Sequence, residues 1–96
     1  MSRLGFGLVG AGGMGSNHAR VVAESDVAEL RVVVDIDGDR AAKLASQYGA
    51  RASTDLDDIA SCDAAVVAVT TEAHEAVAEN LLDRGVPLLV EKPSRR

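Results

Sequence analysis

Two patterns of apolar residues alternate along this chain. Short apolar runs place strands at Leu4–Val9, Glu29–Val34, Ala64–Val69 and Leu88–Val90, with a shorter strand near Ala50–Ala52. The unbroken Val32, Val33, Val34 run is too apolar for a strand wetted on one face, which points to a parallel sheet covered on both sides. Between the strands the spacing changes to that of helices. Gly13 to Glu24 carries Met14, His18, Val21 and Val22 on one face, and Ala41, Leu44, Ala45 and Tyr48 follow an i, i+3, i+4, i+7 stripe. Asp37 or Asp39 is a start signal for that second helix and Gly49 a stop. Thr54 with Asp57 has the form of a capping box and predicts a short helical turn through Ile59. Thr71, Glu72 and Glu75 favour a further helix start, Ala73, Val77 and Leu81 form its buried row, and Gly85 and Pro87 end it.

Strands that alternate with helices predict an α/β fold with a doubly wound parallel sheet, about five strands in the order 3-2-1-4-5, the crossovers being right-handed. Residues 1–96 are expected to form one domain. Ligands of such sheets bind beyond the carboxyl ends of the strands. Those ends are Gly10–Gly15, Asp35–Asp37, Val69–Thr71 and Glu91–Pro93, and all four are expected to line one edge.

That edge begins with a glycine-rich turn. Gly10, Gly12 and Gly15 follow the first strand directly in G-x-G-x-x-G spacing and open a helix. Such an order lets the chain turn sharply, brings a pyrophosphate close to the backbone and presents unpaired N–H groups to it. Nine of the 96 residues are glycine, so the spacing gains its force from the strand before it and the helix after it. Asp35 lies 20 positions past Gly15 at the end of the second strand, where an acid accepts ribose hydroxyls and repels a 2′-phosphate. Arg40 has two readings, stacking on an adenine face or pairing with Asp37 or Asp39. Lys92, at the end of the last strand, is one of only two lysines against eight arginines, and a lysine suits proton transfer because its pKa moves with its environment. His18 reads as a half-covered helix-face histidine rather than a ligand group.

Composition narrows the function classes. A net charge of −5 with a pI near 4.8 disfavours nucleic acid and anionic lipid, and no apolar run is long enough to span a bilayer. No signal-peptide pattern precedes the first strand, so the expected location is cytoplasmic. Cys62 is the only cysteine, which excludes a disulfide and a cysteine cluster for zinc; no metal site is expected. Assembly with further copies of the chain stays open.

GLVGAGGMGSNHA at 7–19, VVDIDGDRAAKLASQYG at 33–49 and AAVVAVTTEAHEAVAENLLDRGVPLLVEKP at 64–93 together resemble the N-terminal NAD(P)-binding domain of the glucose-fructose oxidoreductase, inositol dehydrogenase and MocA-like (Gfo/Idh/MocA) family of oxidoreductases. The terminal Glu-Lys-Pro after Val-Pro-Leu-Leu-Val is the most specific part. The resemblance implies a Rossmann domain that binds NAD, with NADP the lesser alternative, in an enzyme passing hydride to or from a sugar or polyol. It implies that Gly10, Gly12 and Gly15 hold the pyrophosphate, that Asp35 holds the adenosine ribose, and that Thr70, Thr71 and His74 flank the nicotinamide half. Lys92 would be the active-site lysine and Glu91 would lie at the nicotinamide ribose. The candidate cofactor set is thus Gly10, Ala11, Gly12, Gly13, Met14, Gly15, Asp35, Ile36, Arg40, Thr70, Thr71, His74, Glu91 and Lys92, with Lys92 also catalytic.

Two features depart from the family pattern. Thr71 stands where the family usually has proline, and Ser94, Arg95 and Arg96 do not look like the usual continuation into a second α/β domain that supplies the substrate pocket. The expectation is a truncated product, an excised domain or part of a longer chain, which binds cofactor without turnover. A stand-alone dinucleotide-binding or sensing module is the competing reading. A methyltransferase using S-adenosylmethionine shares the glycine turn and the acid after strand two, but has no reason for Glu-Lys-Pro at strand five.

Overall fold

The computed structural model describes residues 3–68 and 71–90. The elements are β1 (Leu4–Val9), α1 (Gly13–Ala23), β2 (Ala28–Val34), α2 (Gly38–Tyr48), β3 (Arg51–Ser53), a 3-10 turn (Leu56–Ile59), β4 (Ala64–Val67), α3 (Thr71–Asp83) and β5 (Leu88–Val90). All pairings are parallel and the order is β3-β2-β1-β4-β5, as the alternation of strands and helices implies. β2 starts one residue before the expected Glu29, and β3 is displaced by one residue, pairing Val32 with Arg51 and Val34 with Ser53. Val69, the expected end of the fourth strand, lies outside the described residues.

Each face of the sheet has its own core, because side chains along a strand alternate between faces. Leu8, Leu30, Val33 and Val66 point to one side, where Ala19 of α1 and Ala41, Leu44 and Ala45 of α2 cover them. Val9, Val32, Val34 and Val67 point to the other, against Ile59 of the 3-10 turn and Leu81 of α3. The predicted stripe of α2 therefore holds. In α1 the inward row is Gly15, Ala19 and Val22, spaced i, i+4, i+7, and Val21 falls at least about 100° from each of them and is 59% exposed, contrary to the sequence expectation.

Local signals set the helix ends. Asp37 caps α2, its carboxylate accepting the Arg40 N–H at 3.2 Å, and Gly49 closes it in the left-handed region at φ 69°. The 3-10 turn corrects the expected cap. Its N-cap is Asp55 rather than Thr54, since β3 runs on to Ser53 and the turn begins at Leu56, which puts the Asp55 carboxylate against the Asp57 N–H at 2.9 Å.

Candidate functional site

β1, β2 and α1 meet at the carboxyl edge of the sheet. Leaving β1, the chain reverses at Gly10, whose φ of 103° lies in the region that only glycine adopts readily, and the Gly10 N–H donates to the Val34 carbonyl at 2.8 Å. The Ala11 N–H donates to Asp35 Oδ2 at 2.7 Å. Gly12 is the N-cap of α1, and the first intrahelical bond runs from the Ser16 N–H to the Gly12 carbonyl at 2.8 Å. The amides of Gly13, Met14 and Gly15 precede that bond and have no intrahelical acceptor, so they form the positive end of the helix. Gly15 brings the helix close. A Cβ there would lie 1.9 Å from the Gly10 carbonyl oxygen, whereas one on Gly12 would meet only Arg40 Nη1 at 4.0 Å and one on Gly13 would meet nothing within 4 Å. The first contact explains a glycine required by helix–turn packing; the other two mark open space in front of the turn.

Asp35 follows β2 directly beside this turn, with its side chain only 8% exposed. Its N–H donates to the Ser53 carbonyl at 3.1 Å, while Oδ1 accepts the Asp37 N–H at 2.9 Å and Oδ2 accepts the Ala11 N–H. The Arg40 guanidinium reaches to 4.0 Å from both the Asp35 and the Asp37 carboxylates. It is half exposed, and of the two partners foreseen for it Asp37 is found, with Asp35 in place of Asp39.

A cavity of about 790 Å³ runs from this turn across the face that carries α3. Gly10, Gly12, Asp35, Ile36 and Arg40 line one side of it; Thr54, Asp55, Leu56, Val77, Asn80 and Arg84 line the other, with Val9, Val34 and Ala68 between. Ile36, 98% exposed, presents an apolar side chain at this cavity. The far wall is tied together by Arg84, whose Nε donates to Asn80 Oδ1 at 2.6 Å and whose Nη1 pairs with Asp57. Sequence reasoning missed Asn80 and Arg84. Asn80 lies on α3 and Arg84 directly follows its last residue, and only the packing of α3 beside the 3-10 turn brings them to the cavity.

The other candidates fall elsewhere. Thr70, Glu91 and Lys92 lie outside the described residues, and Thr71 and His74 are placed only as first-turn positions of α3. His18 does not line the cavity; its Nε2 is buried without a hydrogen-bond partner among the described residues. Cys62 is buried below β4, where desolvation pushes its thiol pKa up against the opposing pull of Arg31. Among the described residues no three His, Cys, Asp or Glu side chains converge as a metal site, and no helix is long and apolar enough to cross a membrane.

A family model described as an oxidoreductase family with an NAD-binding Rossmann fold matches residues 4–95. The chain is 37% identical over 95 residues to inositol 2-dehydrogenase of Corynebacterium glutamicum (strain R), covering 94% of this chain and 28% of that protein. Among solved structures, GenD2 from gentamicin A biosynthesis in complex with NAD superimposes with a TM-score of 0.91 at 38% identity, over 97% of this chain and 28% of that one. Myo-inositol dehydrogenase from Lactobacillus casei in complex with NAD(H) and myo-inositol superimposes with a TM-score of 0.86 at 28% identity, over 95% and 29% respectively. The chain thus spans less than a third of the length of the relatives it matches.

Proposed function

Because this chain belongs to the Gfo/Idh/MocA oxidoreductase family and corresponds to its NAD-binding Rossmann fold, we propose that it holds NAD along the carboxyl edge of its sheet for hydride exchange with a polyol or sugar hydroxyl. One observation carries this reading: a room-making glycine and a buried carboxylate share one cavity edge, and the unpaired amides at the start of α1 follow that glycine directly. The diphosphate would lie against the amides of Gly13, Met14 and Gly15, in the space that Gly12 leaves free. Asp35 would accept the adenosine ribose hydroxyls, each carboxylate oxygen having acceptor capacity beyond its one main-chain bond. Ile36 would cover one face of the adenine opposite Leu56, with the planar Arg40 guanidinium alongside.

The chemistry that the bound nicotinamide supplies is acceptance or release of a hydride. This chain's part is to orient that ring and to handle the proton. Thr70, Thr71, His74 and Glu91 are assigned to the nicotinamide half, and the Lys92 ammonium to the proton of the substrate hydroxyl. A hydroxyl carbon of a polyol is the favoured reaction centre, since inositol dehydrogenases stand among the relatives. Turnover belongs to the full-length protein of the family; this chain contributes cofactor binding.

NAD is favoured over NADP because two main-chain donors pin the Asp35 carboxylate where a 2′-phosphate would have to sit. Among the described residues Arg40 is the cation paired with Asp35, and both of its carboxylate partners already compete for it. Paired calorimetric titrations with NADH and NADPH test the reading. Tighter binding of NADH is expected, and equal or tighter binding of NADPH would overturn the assignment of Asp35.

A further inference from the structure

The turn from Gly10 to Gly13 contains three glycines and one alanine, so it has almost no side chain with which to hold its own shape. Glycine-rich segments lose the most conformational freedom on ordering, and something outside the turn must offset that loss. Three bonds do so. Gly10 N–H donates to Val34 and Ser16 N–H to Gly12, one at each end, and between them the Ala11 N–H donates to Asp35 at 2.7 Å. Ala11 is only 5% exposed, so without that carboxylate its N–H would be buried and unpaired. A second bond, from the Asp37 N–H at 2.9 Å, fixes the carboxylate itself. The contact to Ala11 spans 24 residues and is charge-assisted, the stronger class of hydrogen bond.

We infer that Asp35 is the positioning residue of the phosphate-binding turn as well as a ribose acceptor, so that one carboxylate couples the two halves of the adenosine diphosphate site. The inference rests on the dinucleotide reading and adds to it a role that needs no contact between Asp35 and ligand. A ligand without ribose hydroxyls separates the two roles. A residue that only accepts ribose hydroxyls is irrelevant to 2′,3′-dideoxy-ADP, and loss of its negative charge would favour that anion. A residue that shapes the turn matters to this ligand as much as to ADP.

The test is calorimetric titration of ADP and of 2′,3′-dideoxy-ADP into the wild-type chain, Asp35→Asn and Asp35→Ala. Asparagine offers one acceptor where two N–H groups need one, and alanine offers none. Both variants are expected to bind dideoxy-ADP at least about 10-fold more weakly than wild type, the factor that a lost charge-assisted hydrogen bond implies. Equal or tighter binding by the variants overturns the coupling and leaves the dinucleotide reading standing; failure of the wild type to bind ADP overturns both. Should the variants not fold, the wild-type chain still decides. A scalar coupling across the hydrogen bond between the Ala11 amide nitrogen and the Asp35 side-chain carboxyl carbon is expected by NMR, and its absence with both resonances assigned overturns the inference.

Discussion

Gly15→Ala is the substitution that probes the strand–turn–helix geometry most sharply. The added Cβ would stand 1.9 Å from the Gly10 carbonyl oxygen and 2.8 Å from its carbonyl carbon, both inside the 3.0 Å that real Cβ contacts respect. These are backbone atoms, held by the Gly10 to Val34 bond and by a φ that few other residues adopt, so α1 has to yield. Relief requires a shift on the order of 1 Å, which pulls the fully buried Ala19 and the adjoining Val22 off the sheet; forced overpacking of this kind costs about 1–3 kcal/mol. The gain in helix propensity from alanine, up to about 1 kcal/mol, offsets only part of it. Gly13 is the internal control. It opens the same helix, but its Cβ would meet nothing within 4 Å, so Gly13→Ala keeps the propensity gain and leaves stability unchanged or up to about 1 kcal/mol higher. Urea unfolding followed by circular dichroism, compared at equal slope, reads both. The reasoning fails if Gly15→Ala is as stable as wild type, or if the two alanines destabilise equally.

Two further outcomes follow from single side chains. Burial raises the Cys62 thiol pKa in the folded state, so stability is unaffected below the ordinary thiol value of about 8.5 and declines as pH climbs above it, where the unfolded chain ionises first. The alkaline loss between pH 7.5 and 9.5 should therefore be smaller in Cys62→Ala, and an identical loss in both proteins would contradict the assigned burial. In any longer protein that carries this domain with a substrate pocket, Lys92→Arg keeps the charge but cannot exchange a proton, so steady-state turnover should fall by roughly 100-fold or more with NADH affinity little changed. Near-normal turnover across pH would withdraw the catalytic role.

Most of the fold was legible because its signals are local. Apolar runs end where glycines or acids begin, and Asp37 and Gly49 bracket α2 as their chemistry demands. Where the sequence reading was corrected, tertiary contact decided the outcome. The choice between Thr54 and Asp55 as a cap turns on how far β3 pairs with β2, and the exposure of Val21 on the rotation that seats Gly15 against Gly10. At the site, the glycine spacing and Asp35 were readable as a pair, but the bond from Asp35 to Ala11 was not, because spacing says nothing of where a carboxylate points. Asn80 and Arg84 carried no signal, being ordinary polar residues until α3 sets them across the cavity from Ile36.

The central claim, that this sheet edge receives a nicotinamide dinucleotide, is tested most directly by titrating NADH into the isotopically labelled chain and following its amide resonances. The account predicts saturable shifts concentrated at Gly12–Gly15, at Asp35–Asp37 and at the cavity residues Leu56 and Asn80. Shifts confined to other surfaces, or no saturable binding, would contradict it.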